Sequence, residues 1–439
     1  MLLSWPRLVA FVMHQIPRGN ILRSRADVHT WWPVLLPLSV VTAYTLAVPA
    51  TEAASTPWIT SKEPLTLLSA NDGQAHIKVD ASSWTSNVPL RFERTNTTRD
   101  SITVIHLGPD HPPVVKTVYG TVPNTIFGAP YLAMSPDGRY GFVTCSTGGV
   151  FTAKAGNIVS VVDLASDEVH VVQTVPVPSP VMAVMHPDGK HLIVGCGTGF
   201  QVFELTEGRL VLRNDNRINH LPDSMDISPN GDRLVATVRV APDTHEVTGV
   251  HVFSYQDGTI AHQHQIKVRQ GLPAFDQPFA LRFSPDGKRV LVPNGAGFSS
   301  KGRLDDILIV DMTIDPPEAT DVIPRVADGI ESLAFHPSGR FVVVACLEDF
   351  PGEAQACFSH LAVADLTTTP PRLLYHLDVE PVPEGIEFSP DGSQLFVQLT
   401  AAHRIAVYDV DGFRLTRNPC VIRVGHGPSS MGLSRRLSK

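Results

Sequence analysis

Apolar and polar residues alternate in short runs along most of this 439-residue chain, and the runs come in pairs joined by one kind of turn. Phe279-Ala280-Leu281-Arg282-Phe283 leads into Ser284-Pro285-Asp286-Gly287, and Lys288-Arg289-Val290-Leu291-Val292 leads out. Alternation with a period of two, bounded by turn residues, predicts β-strands. The proline presets φ, the aspartate bonds its own backbone and the glycine supplies a positive φ, so the four residues predict a hairpin. The same turn recurs at Ser135-Pro136-Asp137-Gly138, His186-Pro187-Asp188-Gly189, Ser228-Pro229-Asn230-Gly231, His336-Pro337-Ser338-Gly339 and Ser389-Pro390-Asp391-Gly392. Successive turn glycines stand 51, 42, 56, 52 and 53 residues apart. A β-rich repeat of roughly 40 to 50 residues predicts propeller blades, four-stranded sheets set radially around a channel.

Each hairpin is followed by a third strand: Asn157–Leu164, Gly199–Leu205, Thr248–Tyr255, Asp305–Met312, Ser359–Leu366 and His403–Val410. A fourth follows, as at His170–Val177 and Arg372–Val379. Before the first turn, Pro89–Thr95, Ser101–Leu107 and Val114–Val122 predict second, third and fourth strands that lack a first. At the other end, Gly427–Ser434 predicts a first strand with no sequel. Joining the two ends gives the expected architecture: an all-β, seven-bladed propeller of four-stranded antiparallel blades over 89–434, closed by the C-terminal strand. Residues 54–88 are expected as a leader, with a short outer strand at Ala75–Val79, and 435–439 as a tail.

The repeat also aligns candidate chemistry, because propellers bind ligands at the channel mouth. Nine residues before the turn glycine stand Pro180, Pro222, Pro278, Pro383 and Pro428, the last from the terminal strand. Eight before stand Pro130, Val181, Asp223, Phe279, Glu331 and Glu384; five before stand Ala133, Val184, Asp226, Arg282, Ala334 and Glu387. Charges on an inner strand cost several kcal/mol unless paired or bound. Asp223, Asp226, Arg282, Glu331, Glu384 and Glu387 therefore form the candidate cluster. Either Arg282 pairs with Asp226 or Glu387 and the cluster is structural, or the carboxylates orient a polar ligand (Asp223, Asp226, Glu384) or hold a divalent cation such as Ca²⁺ through Asp226 and Glu387. The variable loops Ser146–Gly156, Arg239–Val247, Gly295–Leu304 and Leu347–Phe358 are expected around the mouth, with Gly295–Gly302 as a lid.

Pro383-Glu384-Gly385-Ile386-Glu387-Phe388-Ser389-Pro390-Asp391-Gly392 and the strand after it resemble the YVTN-type β-propeller repeat. That superfamily includes lactonase-like propellers and amine dehydrogenase large subunits, and the resemblance covers about 89–434. The Gly-His…Trp-Asp signature of WD40 blades is absent. The resemblance implies a propeller that binds a small molecule, a metal or a protein partner at its channel mouth. As a lactone-hydrolysing enzyme, it implies catalysis by Glu331, Glu348, Glu387 and Arg282. Lactonase-like members resemble one another at Pro-Arg-His before a His-Pro turn; here Ile330-Glu331-Ser332 precedes His336-Pro337, and Glu348 follows about one residue late. A third implication is a redox-complex scaffold that needs a separate cofactor-bearing small subunit.

Net charge is −8 with no basic run, which argues against nucleic acid as a partner. Arg18, Arg23 and Arg25 precede an apolar segment over 31–50, with small residues at Ala50 and Ala53. This predicts an export signal over 1–53 and a periplasmic or secreted protein, with Met13 an alternative start; an uncleaved membrane anchor is the alternative. Of five cysteines, Cys145, Cys196 and Cys346 each stand seven residues after a turn glycine and are expected as small buried residues. Cys346 and Cys357 bracket one loop, and export permits a disulfide between them. No haem-attachment or Cys-x-x-Cys metal motif occurs. His186 and His336 replace serine in the turn and are expected as turn residues. His262 and His264, on one face of an outer strand, are expected as solvated edge residues, with metal binding the alternative.

Overall fold

The computed structural model describes residues 58–73, 75–78, 91–94, 99–120, 122–123, 132–145, 156–166, 168–218, 221–239, 247–295, 304–348 and 359–434. The chain divides into units 1–56 and 57–439; the first, with the expected export signal, lies outside the described residues. Among the described residues the second unit is β throughout, apart from one 3₁₀ turn at Thr400–Ala402.

The turns form as their residues require. Gly287 N donates to Ser284 O at 2.8 Å, the Ser284 hydroxyl donates to Asp286 at 2.6 Å, and Gly287 takes φ 70°. Four-stranded antiparallel sheets follow in chain order, beginning at Leu132–Met134, Met182–Met185, Leu221–Ile227 and Pro383–Phe388. Between the last two lies an eight-stranded sheet. Its 18-residue strand Glu318–Phe335 pairs first with Asp305–Asp311 and then, from Asp328 onward, with Phe341–Glu348. It is thus the fourth strand of one unit and the first of the next. Positive φ at Arg325 (55°) and Gly329 (86°) turns it between the two.

The remaining four-stranded sheet brings the chain ends together in the order Pro428–Leu433, Leu65–Asn71, Ser101–Leu107, Val114–Tyr119. Leu67 stands opposite Leu433 and Ser69 opposite Met431. Here the sequence expectation is corrected. The second strand of this sheet is Leu65–Asn71, within the expected leader; the expected strand at Pro89–Thr95 contributes Arg91–Arg94, paired instead with Ala75–Lys78 in a two-stranded ribbon. The physical reason is burial on both faces. Leu67 and Leu68 are both inaccessible and enter two different cores, whereas Arg91-Phe92-Glu93-Arg94 would bring three charges into that position.

The cores lie between adjacent sheets. Phe142, Val159 and Val161 of one sheet meet Ala183, Leu192 and Val194 of the next, which is why the second strands are apolar on both faces. First strands pack on one another in chain order, and Pro428–Leu433 packs on both Pro383–Phe388 and Leu132–Met134. Val114, Tyr119, Val211 and Leu212 on fourth strands remain exposed.

Candidate functional site

The candidates lie on first strands in two tiers, one in the half away from the Ser-Pro-Asp-Gly turns and one beside those turns. In the outer tier, Asp223, Glu331 and Glu384 each occupy a β-bulge. The ladder passes from Pro222 to Ser224, from Ile330 to Ser332, and from Pro383 to Ile386, leaving the acid as an extra residue in the first two and beside Gly385 in the third. Ser429 of the terminal strand occupies the corresponding bulge. A bulge bends its strand and re-aims one side chain, and bulges are frequent beside active sites. Asp223 is 6% exposed, and Glu331 and Glu384 are inaccessible.

These bulges are linked through side chains. Ser332 Oγ donates to the Glu384 carbonyl. Gly385 N donates to Gln398 Oε1 at 3.1 Å, and Gln398 Nε2 donates to Ser69 Oγ at 2.7 Å and Ser430 O at 2.9 Å. A Cβ on Gly385 would stand 2.3 Å from Gln398 Oε1 and 3.0 Å from Met431 N, so only glycine admits this approach. Gly329 N, in the bend before Glu331, donates to Asp305 Oδ2 at 3.2 Å.

The entry to the Pro383–Phe388 strand is fixed by charge. Glu380 accepts from Arg404 Nη2 at 2.5 Å and Arg417 Nη1 at 2.6 Å. Burial alone would raise its pKa; the Arg417 hydrogen bonds and the two guanidinium charges outweigh burial and hold the carboxyl below its ordinary value.

Asp226, Arg282 and Glu387 form the inner tier, three residues farther along, or about 10 Å at the rise of a strand. All three are half-buried. Asp226 accepts from Ile227 N at 2.9 Å and from Phe283 N at 2.8 Å, clipping one sheet to the next. Arg282 Nη1 donates to the Leu281 carbonyl at 3.3 Å. Glu348 ends its strand opposite Asp328, beyond the level of the outer tier; its side chain lies outside the described residues. Cys346 is buried, while Cys357 and most of the four variable loops lie outside the described residues.

Asp72, Asp100, Asp305 and Asp328 are also buried at this end of the sheets. Counting back along first strands misses them because they flank second, third and fourth strands. Aligning the residues at or just before the start of each third strand would have found Asp100 and Asp305, whereas Asp72 follows a strand that the sequence did not announce.

No family model matches the chain, and no curated protein matches it. Solved structures do. The periplasmic gluconolactonase of Pseudomonas aeruginosa aligns over 84% of this chain and 99% of its own, with 15% identity and a TM-score of 0.59. A Bacteroides uniformis protein provisionally named a 6-phosphogluconolactonase aligns over 85% of this chain and 100% of its own, with 15% identity and a TM-score of 0.58. Hydrazine synthase of Kuenenia stuttgartiensis covers 73% of this chain and 93% of its own, with 18% identity and a TM-score of 0.54. The fold is therefore a β-propeller like those of these proteins.

Proposed function

We propose that the chain is an exported seven-bladed propeller that binds a small polyhydroxylated ligand at its channel mouth, with Asp223, Glu331 and Glu384 as hydrogen-bond acceptors. The observation that carries this reading is the placement of three carboxyls at equivalent bulges of first strands. Val181 and Phe279 stand at the same repeat position in sister strands, so strand packing requires no acid there. Seven blades and ring closure are supported by the sheet inventory and by the packing of the terminal strand on both the first and the last internal first strands. Export is supported by the apolar segment over 31–50. Lactone hydrolysis is a second reading, favoured by Glu331 and Glu348 standing on paired strands of one sheet.

The test is calorimetric titration and thermal melting of the chain from Ala54 onward with sugar lactones, the corresponding acids and Ca²⁺. Saturation at a hundred times Kd adds about 2.7 kcal/mol of stability. A melting rise with a lactone or acid that vanishes in both Glu331→Gln and Glu384→Gln supports the reading; release of acid from the lactone adds the catalytic one. A rise with Ca²⁺ alone, or no rise with any of these, overturns the sugar-ligand reading.

A further inference from the structure

The repeat supplies an internal control for a second cluster, at the opposite end of the sheets. The turn His186-Pro187-Asp188-Gly189-Lys190-His191 differs from its sisters at two places at once. Where it has His186, four sisters have serine, and where it has His191 they have Tyr140, Arg233, Arg289, Phe341 and Gln394. All the sister turns close with the same glycine-to-residue-one hydrogen bond, at 2.8 Å in each. The hairpin therefore folds without this pair of imidazoles.

What the pair adds is a preorganised set of ligand atoms. Asp188 Oδ1 is anchored by the amides of Lys190 at 2.7 Å and His191 at 3.0 Å, which turns Oδ2 toward both rings. Oδ2 lies 3.1 Å from His186 Nδ1 and 2.6 Å from His191 Nδ1. His186 Nε2 donates to the Gly231 carbonyl at 3.1 Å, so its tautomer leaves the lone pair on Nδ1, facing Asp188. A carbonyl that takes the far N–H of an imidazole is the usual outer partner of a metal-bound histidine. Tyr255 packs on His186 with ring centroids 4.4 Å apart and fixes the ring plane from the other side. The three side chains are 12%, 32% and 24% exposed, closed enough to be ordered and open enough for solvent to complete a coordination sphere. Among the described residues no other three His, Cys, Asp or Glu side chains bring their ligand atoms within 4.8 Å of one another.

We infer that His186 Nδ1, Asp188 Oδ2 and His191 Nδ1 form a binding site for a zinc-class divalent cation on the turn face of the propeller. Two imidazoles and one carboxylate suit zinc and its neighbours, whereas calcium prefers an all-oxygen shell. Ligand atoms about 2.0–2.2 Å from a tetrahedral zinc lie roughly 3.3 Å apart, so the His186 contact already fits and the His191 contact opens by about 0.7 Å. That opening accompanies the shift of the His191 proton from Nδ1 to Nε2, which leaves neutral imidazole as the ligand. The Asp188 amide, which donates to His186 Nδ1 at 3.1 Å, turns to water in exchange. The same amide contact recurs between Ser338 and His336, where no carboxylate or second histidine follows. That sister turn is the built-in negative case.

The experiment uses the full chain, free of any affinity tag and stripped with chelator, titrated with Co²⁺ and then Zn²⁺. The expected result is one equivalent of Co²⁺ giving visible ligand-field bands that Zn²⁺ abolishes. His191→Tyr and His186→Ser, each installing a residue found in a sister turn, should weaken binding by more than the roughly 10- to 100-fold lost with an outer-shell partner. Their unliganded melts should stay within a few degrees of the parent. X-ray absorption of the zinc-loaded parent, showing two imidazole scatterers, gives a readout independent of either variant. Absence of bands up to millimolar Co²⁺, or one tight equivalent retained in both variants, overturns the assignment; the latter would move the metal elsewhere, for instance to His251 and His262.

Discussion

Met431 tests whether the strand from the C-terminus is an integral part of the propeller. It is 1% exposed, stands opposite Ser69, and enters a core with Leu67, Ile105, Phe396 and Leu433 drawn from two sheets. Met431→Ala removes the buried side chain and leaves a cavity that neighbouring strands cannot close, a change that costs about 2–5 kcal/mol. Unfolding entropy is about 2.1 cal/mol/K per residue. Over a unit of roughly 380 residues this gives about 0.8 kcal/mol/K, so the melting temperature should fall by about 3–6 °C. Val211→Ala is the control: Val211 is 51% exposed on a fourth strand, and its loss should stay within about 0.5 kcal/mol. Ending the chain at His426 removes Met431 and Leu433 together and strips Leu67, Leu68, Ser69 and Ala70 of their partners on one edge. That loss approaches the whole stability of a domain, about 5–15 kcal/mol. Scanning calorimetry of the variants decides the matter. If Met431→Ala melts like Val211→Ala, or the truncated chain melts like the parent, the terminal strand does not close the structure.

Three other perturbations follow from the same contacts. Gly385→Ala places a Cβ 2.8 Å from Met431 Cβ and 3.0 Å from its backbone nitrogen; it should cost about 1–3 kcal/mol and also weaken the ligand titration, and a wild-type melt would contradict the close approach. Asp226→Ala strips the acceptor from Phe283 N and should cost about 1–3 kcal/mol while leaving any mouth ligand bound as before; lost binding with an unchanged melt would make Asp226 a ligand residue instead. Glu380 has a folded pKa below its ordinary 4.5, so its contribution is complete above 4.5 and is lost as pH falls through the lower folded value. The melting difference between parent and Glu380→Gln should therefore be largest near neutrality and shrink toward pH 3; a difference independent of pH would exclude the charge as its cause.

The sequence made the hairpins legible because each is local: four turn residues fix two strands, and the 50-residue repeat does the rest. The sheet formed by the two chain ends was legible only in part. Its first strand arrives from residue 428, so no Ser-Pro-Asp-Gly turn announces Leu65–Asn71, and Ser/Thr-rich flanks disguised a strand whose two adjacent leucines face opposite cores. Long-range pairing leaves no mark on local pattern, and Arg91–Arg94 took its place by alternation alone. The bulges hid for a related reason. Counting from the turn glycine found Asp223, Glu331 and Glu384 in one column, but one extra residue in the ladder cannot be told from ordinary alternation without the partner strand. The outer histidines show the same limit: the ladder slips between Val252 and Phe253, setting His264 opposite the first and His262 opposite the second. His262 stays exposed, as expected of an edge residue, with Nε2 3.0 Å from His251 Nδ1 on the neighbouring strand.

The two ends of the sheets divide the work that the repeat leaves free. At the turn end, the motif itself demands serine or histidine, proline and glycine, so a functional residue can appear only by replacing a tolerated position, as His191 does. At the other end the prolines shape the entry, and the next position is unconstrained by packing: it accepts proline, valine, phenylalanine, serine, aspartate or glutamate in sister strands. A position that the fold leaves open, buries and re-aims by a bulge is one where chemistry can vary without loss of the blade. That predicts a separation of effects. Exchanging Glu331 for valine, the Val181 solution, should preserve the melt to within a few degrees and abolish ligand binding, whereas the same exchange at Asp226 should lower the melt first. If Glu331→Val instead unfolds the protein, the acid serves the strand and not a ligand, and the mouth reading falls with it.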